Sequence, residues 1–223
     1  MTTPIRPFVD GSVRVGAILI GVGTVQFVVA MAIAQSGYAH YSLLSNYISD
    51  LGNTATSPLH DVFNASIIAL GVLGFVGILA AWSGFPRGGR RLTGLSLLLV
   101  ASSAAVLVGL FPENVNPTVH DLASLVVFAL GGLGLVIMGT AMAPTTHWSS
   151  YRGASYLLGA ITLLSLGYYA PTQTTSSTFD PGLIERLIVA PILVWGFAVA
   201  VHLARLPVRP RVRVGSGAPR PRS

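Results

Sequence analysis

The sequence predicts an all-α, polytopic membrane protein with six transmembrane helices, both termini cytoplasmic and a short interfacial helix in the first outer loop. Three observations carry that prediction. Hydrophobic residues make up 52% of 223 positions and charged residues only 9%, whereas a solvated surface needs roughly a quarter of its residues charged. Six apolar stretches of about 20 residues can each cross roughly 30 Å of hydrocarbon as a helix. The charges also segregate: every one of the 13 basic residues is an arginine, and all but Arg186 fall on one side of such a fold.

The spans run Val13–Ala34, Leu59–Trp82, Leu92–Phe111, Val119–Met142, Gly153–Ala170 and Gly182–Leu206. Ala32-Ile33-Ala34 resembles a signal cleavage site, but the first apolar run exceeds the roughly 7–15 residues of a signal core and reads as a retained span. Arg6 and Arg14, then Arg87, Arg90 and Arg91, then Arg152, then Arg205 and the arginines of the tail alternate with the spans. This pattern places both termini in the cytoplasm. Asp50, Asp61, Glu113, Asp121, Asp180 and Glu185 gather on the opposite side, with only Asp10 inside. Acids have little influence on topology, so their gathering points to a functional surface.

Residues 1–206 form the membrane domain. Residues 207–223, rich in Pro, Arg and Gly, read as a disordered cytoplasmic tail drawn to anionic headgroups. The net charge of +6 lies at span ends and in this tail, a pattern for membrane lipids as partners and not nucleic acid. The absence of cysteine excludes a disulfide framework, a thiol nucleophile and a Cys-type zinc site. A lysine-free composition rich in Arg, Ala and Gly is that of a GC-rich prokaryotic genome. Ala101, Ala105 and Gly109 repeat every four residues, and glycines from Gly131 to Gly139 thin the fourth span, both as helix-packing stripes.

On the outer side, Tyr41, Leu44, Ile48 and Leu51 fall at helical spacing, with Ser42, Asn46, Ser49, Asp50 and Asn53 opposite, which predicts the interfacial helix. Asn46 and Asp50, four apart, share a face. Ser57 reads as the N-cap of the second span, with Pro58 at its first position and His60 and Asn64 on one face. Thr118 and Asp121 resemble a capping box for the fourth span, which brings His120 in at the depth of His60. Asp180-Pro181 starts the last span, and Glu185 and Arg186 follow about one turn inside. Charges there need partners. Arg186 could pair with Asp50 or Glu113, or clamp a lipid phosphate. On the inner side, His147 and Trp148 mark an interface and His202 snorkels.

The block Asn46-Tyr47-Ile48-Ser49-Asp50-Leu51-Gly52, with Phe63-Asn64, Phe111-Pro112-Glu113, His120, Glu185-Arg186, Pro191 and Trp195, resembles the prokaryotic membrane family known as domain of unknown function 998. The resemblance extends over residues 13–206 and implies six helices without an established activity. A more distant similarity is to the Frag1, damage-regulated autophagy modulator and Sfk families, which carry a similar Ile-Ser-Asp-x-Gly block. That likeness implies lipid remodelling or regulation of lipid distribution. Here Thr54-Ala55-Thr56-Ser57-Pro58 stands where the eukaryotic proteins usually have a Pro-Glu pair.

Three functions compete on these residues. The first is lipid handling, with Asn46, Tyr47, Ser49, Asp50, Asn64, Glu113, Glu185 and Arg186 forming a headgroup pocket at the outer face; it requires no cofactor. The second is a membrane-embedded lipid hydrolase or transferase with His120, Asp50 and His60 as catalytic groups. In a metal-dependent form, His60, His120 and Asp50 bind a divalent ion. In a metal-free form, His120 or Asp50 acts as base toward a hydroxyl such as that of Ser49. No short His-x-x-x-His pairing is present, so a metal site would have to be assembled across helices. The third is a small-molecule transporter, which would place ionisable groups near the midplane instead of at one surface.

Overall fold

A computed structural model describes residues 8–172 and 180–209. Six α-helices follow in order: α1 (Gly11–Gly37), α2 (His60–Ala81), α3 (Gly89–Leu110), α4 (Pro117–Ala141), α5 (Ser149–Thr172) and α6 (Pro181–Ala204). Five of them, all but α5, are long and apolar enough to cross a membrane. Ser155 and Thr162 make α5 less apolar, and both are fully buried. They bond to α6: the indole N–H of Trp195 donates to Ser155 Oγ at 2.8 Å, and Thr162 Oγ1 donates to the Ile188 carbonyl at 3.1 Å.

Each helix packs against the next, and α6 packs against α1, which closes the bundle into a ring. Consecutive helices are antiparallel. Short links join α2 to α3, α3 to α4 and α4 to α5. Gly16 and Gly37 of α1 meet Ala81 and Leu59, and Ser155 and Thr162 of α5 meet Trp195 and Ile188 of α6. One end therefore carries the described termini, the 85–88 turn and the 142–148 turn, and can be called the arginine end. The other, the acidic end, carries the 38–59 and 111–116 connections. The outward surface is apolar, with Val15, Ile18, Val22, Val29, Leu79 and Leu164 all exposed. Helices this apolar on both faces are membrane spans, since water would not tolerate the outer one.

Two apolar cores fill the ring. The larger, at the arginine end, includes Val13, Leu95, Leu135, Met138, Trp148 and Leu203. The smaller, at the acidic end, joins Phe27, Ala34 and Phe63 to Ile48 and Leu51 from the long connection. Ala101, Ala105 and Gly109 are buried along α3 as expected of a small-residue stripe.

Several local expectations change. The 38–53 stretch is not an α-helix lying on the membrane: it is a chain of turns with a single 3-10 turn at Ser49–Gly52. Its side chains compete for the backbone, since Asn46 Oδ1 takes the Ser42 N–H at 3.0 Å and Asp50 Oδ2 takes the Tyr47 N–H at 3.0 Å. Such local bonds displace helix. Of its apolar side, Ile48 and Leu51 face protein at 4% and 0% exposure, whereas Leu44 is 50% exposed.

The caps also differ. Helix α2 starts at His60 after an uncapped Leu59, and the buried Ser57 hydroxyl makes no hydrogen bond. Helix α4 is capped by Asn116, whose side chain accepts the Val119 N–H at 3.2 Å, with Pro117 following at the first position. Thr118 is therefore already inside the helix. At the arginine end, His202 does not snorkel: its Nε2 lies 2.9 Å from His147 Nδ1, and its ring packs 4.4 Å from that of Trp148. Residues 207–209 pair with Val9 through Val9 N–H to Pro207 O (2.9 Å) and Arg209 N–H to Val9 O (3.0 Å). The rest of the expected tail lies outside the described residues.

Candidate functional site

At the acidic end the long connection is bound to α6. Arg186 Nη1 donates to the carbonyls of Asn46 (2.9 Å) and Gly182 (2.8 Å), and Nη2 donates to the Tyr41 hydroxyl (2.7 Å). Its guanidinium also lies over the Tyr41 ring at 5.6 Å. The Tyr41 hydroxyl in turn donates to the Tyr47 carbonyl at 2.8 Å. Burial raises the pKa of Tyr41, and the nearby Arg186 charge partly counters that rise. Gly182 permits the approach, because a β-carbon there would collide with the carbonyl oxygens of Asn46 and Leu44. Neither Asp50 nor Glu113 pairs with Arg186: among the described residues no carboxylate lies within 4.0 Å of it.

Asp50 instead organises its own turn. One oxygen accepts from Asn46 Nδ2 (2.9 Å) and from the Tyr47 backbone (3.0 Å). Next along, Asn64 of α2 donates to the Gly52 carbonyl at 3.0 Å. A side chain at Gly52 would strike the Asn64 amide oxygen, so the Asp-Leu-Gly end of the motif is where the turn meets α2. Glu113 lies at the rim, 3.4 Å from Asn53 Nδ2. Beside it, Thr54 and Asn114 exchange two bonds and join the two outer connections. Tyr47 meets Tyr169 of α5 edge to face at 6.1 Å.

Glu185 points inward. It is 7% exposed and accepts the Ile48 backbone N–H through Oε2. His120 is equally buried, at 7% exposure. Its Nδ1 lies 3.0 Å from the Phe111 carbonyl. A carbonyl can only accept, so Nδ1 carries a proton, and the tautomer that this bond selects is the one with its lone pair on Nε2.

Glu185, His120, Ser49 and Ser124 line one end of an internal cavity of about 80 Å³, otherwise bounded by Phe27, Phe63 and other apolar side chains. A second cavity of about 120 Å³ continues toward the arginine end. Leu70, Ala105, Val127, Ile192 and Leu193 border both. The second exists because its walls are small: Gly71, Gly74, Ala101, Ser102, Gly131 and Gly196 all face it. Part of the small-residue content that reads as packing thus makes room inside the ring.

The structure brings Asn46, Tyr47, Asp50 and Arg186 together in the tie, and Ser49, His120 and Glu185 together on the cavity. His60 joins neither. Its Nδ1 contacts the Ser57 carbonyl at 2.8 Å and its Nε2 lies 3.4 Å from the exposed Asp61. Among the described residues no three His, Asp or Glu side chains are grouped to hold a metal ion, so His60, His120 and Asp50 do not form a ligand set. Sequence reasoning missed Tyr41, read only as an apolar position, and Ser124. The signal for Ser124 was present, since it follows His120 by four residues on one helical face.

A ring of apolar, membrane-length helices enclosing a cavity with polar groups at one end defines a multi-pass helical membrane protein. The family model described as a protein of unknown function (DUF998) matches residues 21–202. The chain belongs to that family. No curated protein matches it, so the more distant likeness to the Frag1, autophagy-modulator and Sfk families gains no support. No solved structure matches either.

Proposed function

We propose that the protein is a lipid-handling membrane protein that takes the apolar part of an amphiphile into the ring and holds its polar part at the acidic end. The observation that carries this reading is the pair of adjoining cavities, mostly apolar along their length, where the Thr24 and Ser102 hydroxyls bond back to their own helices, with Glu185, His120, Ser49 and Ser124 together at one end. An apolar void of this kind stays dry. Left empty, at about 24 cal/mol per Å³, the larger would cost roughly 3 kcal/mol. A hydrocarbon chain removes that cost. Asn46, Asp50 and Arg186 build the rim in this reading, and the headgroup lies inside it.

The arginine distribution supports a topology of six spans, α5 included, in the cell membrane with both termini cytoplasmic. The chain has no cysteine, so single cysteines introduced at Arg87 and Thr56 report sidedness directly. A membrane-impermeant thiol reagent on intact cells should label the Thr56 position and spare the Arg87 position; the reverse pattern refutes the topology.

The binding reading is tested by native mass spectrometry on protein purified from membranes. Wild type should retain a co-purifying lipid that Ala105→Phe and Val127→Phe, which fill the shared boundary of the two cavities, have lost while keeping full helicity by circular dichroism. Equal retention by all three proteins refutes it. A second reading, a lipid hydrolase or transferase, is favoured by one observation: a hydroxyl, that of Ser49, and an imidazole with an available nitrogen line the same cavity.

A further inference from the structure

We infer that the ligand of the internal cavity is an amphiphile whose polar end donates hydrogen bonds, a hydroxyl or a primary amine, and not a phosphate-bearing lipid. The inference rests on the lipid-binding reading and narrows its chemistry. Arginine is the residue that would recognise a phosphate, and among the described residues Arg186 is the sole arginine at the acidic end. It is occupied by two carbonyls and the Tyr41 hydroxyl and does not line the cavity. Among the described residues no other arginine lines it either.

The groups that do line it ask for a donor. In the tautomer that the Phe111 bond selects, His120 Nε2 carries the lone pair, and it has no protein partner among the described residues, although the ring is 7% exposed. Glu185 gives Oε2 to the Ile48 N–H, and Oε1 has no protein partner among the described residues. Two acceptors held inside an apolar wall are costly until a donor reaches them. A hydroxyl or amine on the end of a chain lying in the cavity supplies that donor. The Ser49 and Ser124 hydroxyls can accept or donate as the ligand requires. A phosphate would instead bring its negative charge beside the Glu185 carboxyl, with no arginine among the residues that line the cavity.

The test uses the full-length protein in detergent and three long-chain probes that differ only at the polar end, an alcohol, an amine and an alkyl phosphate, each carrying the same diazirine in the chain. Labelling at Leu70, Val127 and Ile192 is read by mass spectrometry and normalised to labelling at Leu164, which is 75% exposed on the outer surface. The alcohol or the amine should exceed the phosphate about tenfold, the ratio that one hydrogen bond of ordinary strength supports. The stronger of the two identifies the donor. His120→Phe, which keeps the ring volume and removes the acceptor, should reduce that advantage severalfold while labelling at Leu164 stays constant. Cavity labelling by the phosphate equal to or above the others overturns this inference and leaves lipid binding standing. No labelling of cavity residues by any probe overturns the lipid reading itself.

Discussion

The two ends of the bundle are closed by different chemistry. At the arginine end, Phe85, Trp148, Tyr151, His147 and His202 stack on one another, with Phe85 and Trp148 nearly parallel at 5.6 Å. The closure there is a slab of rings over an apolar core, with Arg91 5.5 Å from the Trp82 ring and donating to the Trp82 carbonyl at 3.5 Å, and Arg90 donating to the Thr140 carbonyl at 3.2 Å. At the acidic end closure depends on directional bonds from charged side chains to backbone. Arg186 reaches across 140 residues to Asn46, and Glu185 reaches across 137 to Ile48. Stacked rings tolerate small shifts, whereas a guanidinium aimed at two carbonyls fixes one geometry. The difference separates structural from available charge: Arg186 is consumed in building the rim, and its neighbour Glu185 still faces the cavity.

The sharpest way to break this comparison is at Gly182. In Gly182→Val the new side chain must displace the Asn46 and Leu44 carbonyls, so the loop has to leave α6. Overpacking of this order should cost about 3 kcal/mol, seen as a lower Tm by circular dichroism in detergent and as faster protease cleavage between residues 38 and 53. A Tm equal to wild type would mean the loop is not held where the geometry puts it. Next in size is Arg186→Ala, which strands two carbonyls and a phenol and should cost about 2–3 kcal/mol. Its effect on bound anionic lipid should be small once stability is matched by lowering the temperature. A selective loss of such lipid would instead make Arg186 the phosphate clamp that the sequence allowed.

The limits of the sequence follow the same division. Helix positions were legible because hydropathy is a sum over about 20 residues and survives local exceptions. The 38–53 stretch was misread because an apolar residue every three or four positions fits an interfacial helix and a loop folded onto a core equally well. What decided was Asn46 and Asp50 bonding nearby backbone, a geometry that spacing alone does not reveal. The acids that segregate in the sequence do lie at one end of the bundle. Their segregation could not separate Arg186 from Glu185, adjacent in sequence, because which of them finds protein partners depends on Tyr41 and Ile48, both more than 130 residues away. His60 and His120 looked equivalent by depth; only the packing of α4 against the ring turns His120 inward.

Tyr41→Phe removes one bond received from Arg186 and one given to Tyr47, and should cost about 1–2 kcal/mol at neutral pH. It also has a signature in pH. Tyr41 is more easily kept neutral in the folded protein than its ordinary value of 10.0 implies. Its contribution is therefore fully present below pH 10 and is lost as pH rises above that toward its folded-state value. Wild type should lose stability over that alkaline range more steeply than Tyr41→Phe. Parallel curves would place the hydroxyl in solvent.

The smallest effect belongs to the arginine end, and it tests whether stacking really carries closure there. His147→Phe deletes the 2.9 Å bond to His202 but keeps a flat ring against Trp148, now 5.4 Å from the His147 ring. If the slab is held by ring contacts, the loss is that of one neutral hydrogen bond, about 1 kcal/mol or less. His147→Ala, which removes the ring as well, should cost more by the share an aromatic pair contributes, about 0.5–1.5 kcal/mol. A drop for the phenylalanine variant as large as for Arg186→Ala would show that a polar bond governs this end too. Both ends of the bundle would then close by the same means, and the distinction between them would have to rest on the cavity alone.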